Sequence, residues 1–238
     1  MRLPLALLLS ALLLPSASAQ EHRYLYKTTL VQAAPGRILD LIELYQQKNA
    51  QDAGDASPLW MRHSQGDHWD LLLLFPMGSY DDYYGAGRVS RRQKAARAWS
   101  ERLGQDVAWQ EDVLVYGPPP EEVRKAFAGS SLFHVEMFHA LPGKQAELYQ
   151  QREMENAYSK ALQQPENLIF VRDQGAAWDL FTIGCFRNLK HYAESEDVPH
   201  KDQEAAARAA GFEGADRIGP YLRTLIASHH DTLAVAVK

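Results

Sequence analysis

Apolar residues follow strand-like and helix-like spacings in turn along the chain, and these spacings predict its secondary structure. Residues 24–31 and 132–138 are rich in β-branched, aromatic and aliphatic side chains, which predicts a strand in each half of the chain. After each strand, apolar positions recur at the i, i+3, i+4 and i+7 spacing of an amphipathic helix. These positions are Ile38, Leu41, Ile42 and Tyr45 in the first half and Met154, Ala157, Tyr158, Ala161 and Leu162 in the second.

Each half continues with a hairpin, an alanine-rich helix and a last strand, which gives the order βαββαβ twice. The predicted hairpin strands are residues 59–63 and 69–75, then 168–172 and 178–186. The predicted second helices are residues 89–103 and 201–212, and the last strands are residues 113–116 and 233–237. An added amphipathic helix is predicted only in the second half, from Ile218, Tyr221, Leu222, Leu225 and Ile226.

The chain contains an internal duplication. The sequence QGDHWDL at residues 65–71 returns as QGAAWDL 109 positions later. Four further matches occur in the same order along the chain, and such collinearity indicates a repeat rather than chance. They pair residues 35–37 with 142–144, 43–47 with 147–151, 95–98 with 206–209, and 112–114 with 231–233.

The βαββαβ order is that of a ferredoxin-like unit, a four-stranded antiparallel sheet with two helices on one face. The uncovered face of each sheet must be buried, and the second copy is the nearest partner. The arrangement resembles the dimeric α+β barrel superfamily, with the two units fused as in NIPSNAP-like proteins. We therefore predict an α+β fold of two tandem ferredoxin-like repeats, packed sheet to sheet as an intramolecular barrel. The predicted repeats are residues 20–117 and 130–238, joined by a linker over residues 118–129.

The first residues predict export. A positive start, an apolar run over residues 3–14 and the small residues Ala17 and Ala19 form the pattern of a cleavable signal peptide. We expect cleavage after Ala19, a signal peptide over residues 1–19, a periplasmic or secreted protein, and no membrane anchor after cleavage. The formal net charge of −5 argues against a nucleic-acid partner. The single cysteine, Cys185, cannot form an internal disulfide and is interpreted as a small buried residue.

In the predicted strand of residues 132–138, apolar side chains alternate with a second set that includes a histidine and a glutamate. Its apolar residues, Phe133, Val135 and Met137, suit a face covered by helices. The residues between them are then expected to face the space between the two sheets; these are His134, Glu136 and Phe138. An imidazole beside a carboxylate can carry out general acid–base chemistry. The structural alternative is that this pair is an ordinary polar contact or faces solvent.

The duplication places Lys27 and Thr29 at the positions of His134 and Glu136. The predicted catalytic residues are therefore His134, Glu136 and Lys27. The predicted ligand-binding residues are Thr29, Trp60, His63, Phe138 and Arg172. Asp70 and Asp179 recur with the hairpin turn and are interpreted as structural.

These features support a small-molecule-binding barrel protein. One form of the hypothesis is a cofactor-free oxygenase or isomerase-type enzyme acting on an apolar or aromatic compound. The alternative is a non-enzymatic interaction or assembly module with a packed interior. No cofactor and no metal site are predicted, since the nine histidines lack the spacing of zinc hydrolase motifs; haem or a metal ion stays a secondary alternative. The sequence leaves open whether the protein is an enzyme, and which oligomeric state it adopts.

Overall fold

The two halves of the chain repeat one succession of strands and helices. A computed structural model describes residues 24–51 and 57–237, so the predicted signal peptide lies outside the described residues. The first repeat contains β1 (Tyr24–Ala33), α1 (Ile38–Gln51), β2 (Leu59–Gln65), β3 (Leu71–Gly78), α2 (Tyr80–Tyr84), α3 (Ala86–Leu103) and β4 (Val107–Gly117). After α4 (Pro120–Ala128), the second repeat contains β5 (Leu132–Ala140), α5 (Gln145–Ala161), β6 (Leu168–Gln174), β7 (Leu180–Phe186), α6 (Leu189–Ala193), α7 (His200–Ala209), α8 (Ile218–Arg223) and β8 (Ile226–Ala236). In the described part of the chain, no helix is long and apolar enough to cross a membrane.

The strands of both repeats form one closed antiparallel barrel. Within the described residues the strand order is β1-β3-β2-β8-β5-β7-β6-β4, and β4 pairs again with β1. Each repeat contributes a four-stranded sheet of ferredoxin-like order. The two sheets join where β2 pairs with β8 and where β4 pairs with β6. The predicted α+β barrel of two ferredoxin-like repeats is confirmed.

The barrel interior is a packed apolar core built by both repeats. Its largest fully buried side chains include Trp69, Phe133, Phe170 and Phe181. Two further apolar clusters lie on the outer face of the barrel, one beneath the helices of each repeat. The sheet therefore buries one face in the barrel and much of the other face beneath helices.

This packing reverses the predicted facing of β5. Phe133, Val135 and Met137 belong to the interior core. The prediction that His134, Glu136 and Phe138 face the space between the sheets is wrong, since these side chains lie on the outer, helix-covered face. The middle of the barrel interior is the more completely apolar of the two environments, and it takes the more apolar side of the strand.

Two recurring aspartates fasten the ends of equivalent strands. Asp70 Oδ2 accepts a hydrogen bond of 2.8 Å from the backbone N–H of Ala33, at the end of β1. Asp179 Oδ2 accepts the same bond, also 2.8 Å, from Ala140 at the end of β5. These bonds agree with the structural role that the repeat pattern suggests for both residues.

The last strand of each repeat is longer than predicted. β4 begins at Val107 rather than residue 113, and β8 begins at Ile226 rather than residue 233. The added residues are largely polar and have low strand propensity, but pairing with β1 and β5 holds them in the sheet. This difference matters for function, because the added segments carry Gln110, Asp112, His229 and Asp231.

Cys185 is interpreted from the sequence as a small buried residue. It packs against the interior core as a partly buried residue. Burial raises the pKa of its thiol to about 12. The thiolate is the reactive form, so Cys185 is poorly suited to nucleophilic chemistry.

Candidate functional site

A cleft of about 630 Å³ opens between the sheet and the helices of the first repeat. Its floor is the outer face of β1, β3 and β4, and its walls come from α1, α2 and α3. Residues lining it include Lys27, Thr29, Phe75, Trp99 and Asp112. We call this space the first-repeat cleft.

The floor of the first-repeat cleft is polar and centred on Asp112. Thr29 Oγ1 donates a hydrogen bond of 2.6 Å to Asp112 Oδ1, because Thr29 and Asp112 are directly paired between β1 and β4. Lys27 Nζ lies 3.4 Å from the same oxygen, and Gln110 Nε2 donates to it at 3.4 Å. Three donors therefore converge on one carboxylate oxygen.

Aromatic rings surround this polar floor. Tyr45 of α1 packs edge-on against Trp99 of α3, with ring centroids 5.3 Å apart. Trp60 lies behind Tyr45 at 6.1 Å. The ammonium of Lys27 lies 4.8 Å from the centroid of the Phe75 ring, a cation–π contact. Burial, and to a lesser degree the Asp112 carboxylate, raises the pKa of Tyr45, so this phenol stays neutral.

The charges that line the cleft favour an anion. Among the described lining residues the cations are Lys27 and Lys48, and the one carboxylate is Asp112. Lys48 Nζ lies 5.2 Å from the centroid of the Trp99 ring, at the aromatic wall. The described lining therefore combines aromatic rings with one excess positive charge.

The second repeat places a different set of side chains at the equivalent positions. His134 and Glu136 stand on β5, and His229 and Asp231 stand on β8, with Glu136 paired directly with Asp231. His134 Nε2 lies 3.6 Å from Asp231 Oδ1, and His229 Nε2 lies 3.1 Å from Asp231 Oδ2. We call these four residues the second-repeat cluster.

Helix α5 places a buried cation beside this cluster. The side chain of Arg152 is 2% exposed, and its Nη1 lies 3.5 Å from Glu136 Oε2. Arg152 also forms an ion pair with Glu155 and lies over the Phe138 ring at 4.7 Å. Thr182 Oγ1 donates a hydrogen bond of 3.3 Å to Glu136 Oε2. The cluster is therefore tightly packed and strongly polar.

The side chains of the cluster shift each other's protonation. Burial raises the pKa of Glu136, although Arg152 opposes the shift. Burial alone would lower the pKa of His134, but the hydrogen bond with Asp231 and the neighbouring carboxylates outweigh it, and the pKa rises. The same hydrogen bond lowers the pKa of Asp231. His134 and Asp231 therefore stabilise each other as an imidazolium–carboxylate pair.

The predicted catalytic residues do not form one site. Lys27 lies on β1 and the pair His134–Glu136 on β5, and these strands occupy opposite positions in the barrel order. The predicted grouping of His134, Glu136 and Lys27 is wrong, because their side chains point outward on opposite sides. Thr29 lies with Lys27 on the cleft floor, and Trp60 lies behind its aromatic wall.

The remaining predicted ligand-binding residues lie away from the first-repeat cleft. Phe138 belongs to the helix-covered core of the second repeat, where it stacks on His229 with centroids 5.9 Å apart. His63 packs edge-on against Trp69, a residue of the barrel core, at 5.8 Å. Arg172 Nη2 forms an ion pair of 2.7 Å with Asp179 Oδ1. These contacts give the three residues structural partners rather than places in the cleft.

Sequence reasoning missed the aspartates at the centre of both sites. Asp112 and Asp231 stand at matching positions in the duplicated segments 112–114 and 231–233. Both aspartates recur between the two halves, but they lie just before the apolar residues from which the last strands were predicted. They were therefore not assigned to a strand. Their neighbours Gln110 and His229 were missed for the same reason.

Several solved structures share this fold at low sequence identity. An anthrone oxidase-like protein aligns with 13% identity and a TM-score of 0.55, over 92% of this chain and 93% of that one. These similarities show that the chain has the dimeric α+β barrel fold. Candidate monooxygenases from Lactobacillus acidophilus (11% identity, TM-score 0.54, 90% and 94% of the two chains) and Fusobacterium nucleatum (7%, 0.56, 91% and 94%) align similarly. No protein-family model and no curated protein matches the sequence.

Neither the first-repeat cleft nor the second-repeat cluster offers a histidine-ligated haem site. An axial ligand must face a cavity large enough for the macrocycle. The described lining of the first-repeat cleft contains no histidine, cysteine or methionine. In the second repeat, the His134 ring packs against Tyr192 at 5.5 Å, and its Nε2 faces Asp231.

Proposed function

We propose that the protein binds an aromatic small molecule bearing an ionisable oxygen, and that the first-repeat cleft is the binding site. The observation that carries this proposal is the cleft itself. Its volume of about 630 Å³ falls within the range of about 300–1,000 Å³ typical of small-molecule sites. Rings form its walls, and a few convergent polar groups form its floor, which is the usual composition of such a site.

The polar floor fixes the orientation of the ligand. The aromatic part packs against Trp99 and Phe75, and the charged oxygen lies toward the ammonium of Lys27. Lys27 already contacts Asp112 at 3.4 Å, so the ligand oxygen and the carboxylate lie on either side of one cation. This places the Asp112 carboxylate close to the ligand carbon that carries the charged oxygen.

We infer proton-transfer chemistry at this site. Asp112 takes a proton from the carbon next to a ligand carbonyl, and the ammonium of Lys27 stabilises the enolate oxygen that forms. In an isomerase, the proton returns to a different carbon. In a cofactor-free oxygenase, dioxygen is the co-reactant and takes electrons from the enolate. Both reactions share the first proton abstraction, which this chain's residues can perform without a cofactor.

The alternative hypothesis is an interaction or assembly module, and a packed barrel interior agrees with it. The outer cleft separates the two hypotheses, because a module that acts through its surface has no need for a pocket lined by rings and a polar floor. The cleft therefore favours small-molecule binding. The similarity to monooxygenase and oxidase-like folds agrees with this proposal, although it concerns the fold alone.

We further propose that the protein acts after export, in the periplasm or outside the cell. The positive start and the apolar run of residues 3–14 support this proposal. The occurrence of both repeats in one chain supports the NIPSNAP-like relationship suggested by the sequence.

Replacing Lys27 by Met will weaken binding of an anionic aromatic compound by about tenfold or more, because it removes the cation and keeps most of the aliphatic chain. Calorimetric titration with hydroxynaphthoate, and with its neutral methyl ester, measures the effect. The neutral ester should lose much less affinity than the anion.

Lys144→Met is the matched control, because Lys144 pairs with Glu147 at the start of α5, in the other repeat. Its affinity for hydroxynaphthoate should equal that of the wild type. The proposal fails if Lys27→Met leaves anion binding unchanged, or if the wild type shows no saturable binding of either compound.

A further inference from the structure

We propose that the second repeat binds a divalent first-row transition-metal ion through His134, Glu136 and Asp231. One ligand atom from each of these residues lies within 4.8 Å of the others. The ladder between β5 and β8 holds them in place: Glu136 and Asp231 are paired, and His134 lies two residues along on the same face. An imidazole and two carboxylates form a ligand set suited to ions such as Zn²⁺ or Mn²⁺.

His229 has a separate role as a positioning residue. Its Nε2 lies 3.1 Å from Asp231 Oδ2, whereas His134 faces the other oxygen, Oδ1. Through this contact His229 orients the Asp231 carboxylate, as residues behind a metal ligand commonly do. Asp231 is half exposed, so an ion can reach the cluster from solvent.

The charges of the cluster call for an additional cation. Three carboxylates act on His134, those of Glu136, Asp231 and Glu155, and the guanidinium of Arg152 contacts two of them. The charge of Arg223 also helps to lower the pKa of Asp231. When an ion displaces the proton of the His134 imidazolium, the groups in contact carry two excess negative charges, which one divalent ion balances.

Arg152 supplies an independent indication of a bound group. Its side chain is 98% buried, and its Nη1 has no hydrogen-bond partner among the described residues, although Glu136 lies 3.5 Å away. A buried guanidinium N–H without an acceptor is costly. A water oxygen carried by a metal ion at the cluster would accept this bond.

The first repeat shows how the same position is filled without a metal ion. There the ammonium of Lys27 lies 3.4 Å from Asp112, the counterpart of Asp231. Thr29 and Gln110 replace Glu136 and His229. Each repeat thus places a cation against the aspartate of its last strand. In the first repeat the cation is a covalently attached lysine, and in the second the ion takes the place of the His134 proton.

Metal binding to the stripped mature protein tests this proposal. We expect Zn²⁺, measured by competition with a chromogenic chelator, to bind at one site. His134→Asn and Asp231→Asn should each weaken binding by about tenfold or more. Circular dichroism and thermal unfolding verify that each variant is folded. Co²⁺ added to the wild type should show the d–d absorption of a protein-ligated ion, a readout that needs no variant.

His200→Asn is the control, because His200 and Glu204 form an exposed i, i+4 pair on α7 that could bind metal adventitiously. This variant should bind Zn²⁺ as the wild type does. The proposal is overturned if His200→Asn removes the binding, or if the two cluster variants fold and bind Zn²⁺ unchanged. It is also overturned if Co²⁺ in the presence of the wild type keeps the spectrum of the hydrated ion.

Discussion

Replacing Asp112 by Asn will slow deuterium exchange at the acidic carbon of a bound ketone by about a hundredfold or more. The substitution keeps the shape of the side chain and an oxygen that accepts the hydrogen bond from Thr29. It removes the negative charge that takes the proton. Proton NMR in deuterated buffer, with an aromatic ketone that carries an acidic C–H bond as the probe, measures the exchange directly. The measurement covers both the isomerase and the oxygenase, because it reports only their shared first step.

Glu111→Gln is the control for this prediction. Glu111 is the neighbouring residue on β4, but its side chain lies on the other side of the sheet, in a separate pocket with Trp109 and His230. The loss of this carboxylate should leave the exchange rate within about twofold of the wild type. Equal rates for Asp112→Asn and the wild type would show that Asp112 is not the base.

Replacing Gly66 by Ala will lower the free energy of unfolding by about 4 kcal/mol, the combined cost of backbone strain and overpacking. Gly66 has a φ of +121°, a conformation that residues with a side chain rarely adopt. A Cβ here would lie 2.1 Å from the backbone oxygen of Asp231 and 2.7 Å from Cα of Thr232. Backbone atoms cannot move aside as a flexible side chain does, so the paired strands β2 and β8 must separate at this point. Urea unfolding measures the loss.

Gly175→Ala is the matched comparison, because Gly175 occupies the equivalent turn of the second repeat. Its φ is +88°, but the nearest atom to a new Cβ is the backbone oxygen of Asp112 at 3.1 Å. We expect a loss of about 1–2 kcal/mol, which is the conformational cost with little overpacking. Equal losses in the two variants would contradict the claim that the Gly66 turn is the closer contact across the barrel.

The duplication made the fold predictable from sequence. Each half supported the interpretation of the other, so weak strand patterns such as residues 59–63 and 168–172 could be recognised. The order βαββαβ then limited the architecture to a sheet with one bare face. The need to bury that face leads to the barrel that is observed.

The facing of the strands could not be predicted from alternation alone. In β5 both faces are covered, one by the barrel core and one by helices. When both faces of a strand are buried, neither face is marked by the polar residues that normally point to solvent. Phe138 is apolar but lies on the same face as His134 and Glu136, so either assignment of the faces suits the sequence.

The composition of the sites also required the structure. Lys27 and Asp112 are 85 residues apart, and only the pairing of β1 with β4 places them 3.4 Å from each other. His134 and Asp231 meet in the same way through β5 and β8. The sequence could identify Lys27, Thr29, His134 and Glu136 as equivalent pairs, but it could not supply the partners from the last strands.

The central claim is that the first-repeat cleft is the small-molecule site. A crystal structure of the protein with bound hydroxynaphthoate tests it most directly. We expect the ring against Trp99 and Phe75, with the charged oxygen within hydrogen-bonding distance of Lys27 Nζ. A ligand bound instead at the second-repeat cluster, or in the pocket with Trp109 and His230, would contradict the account.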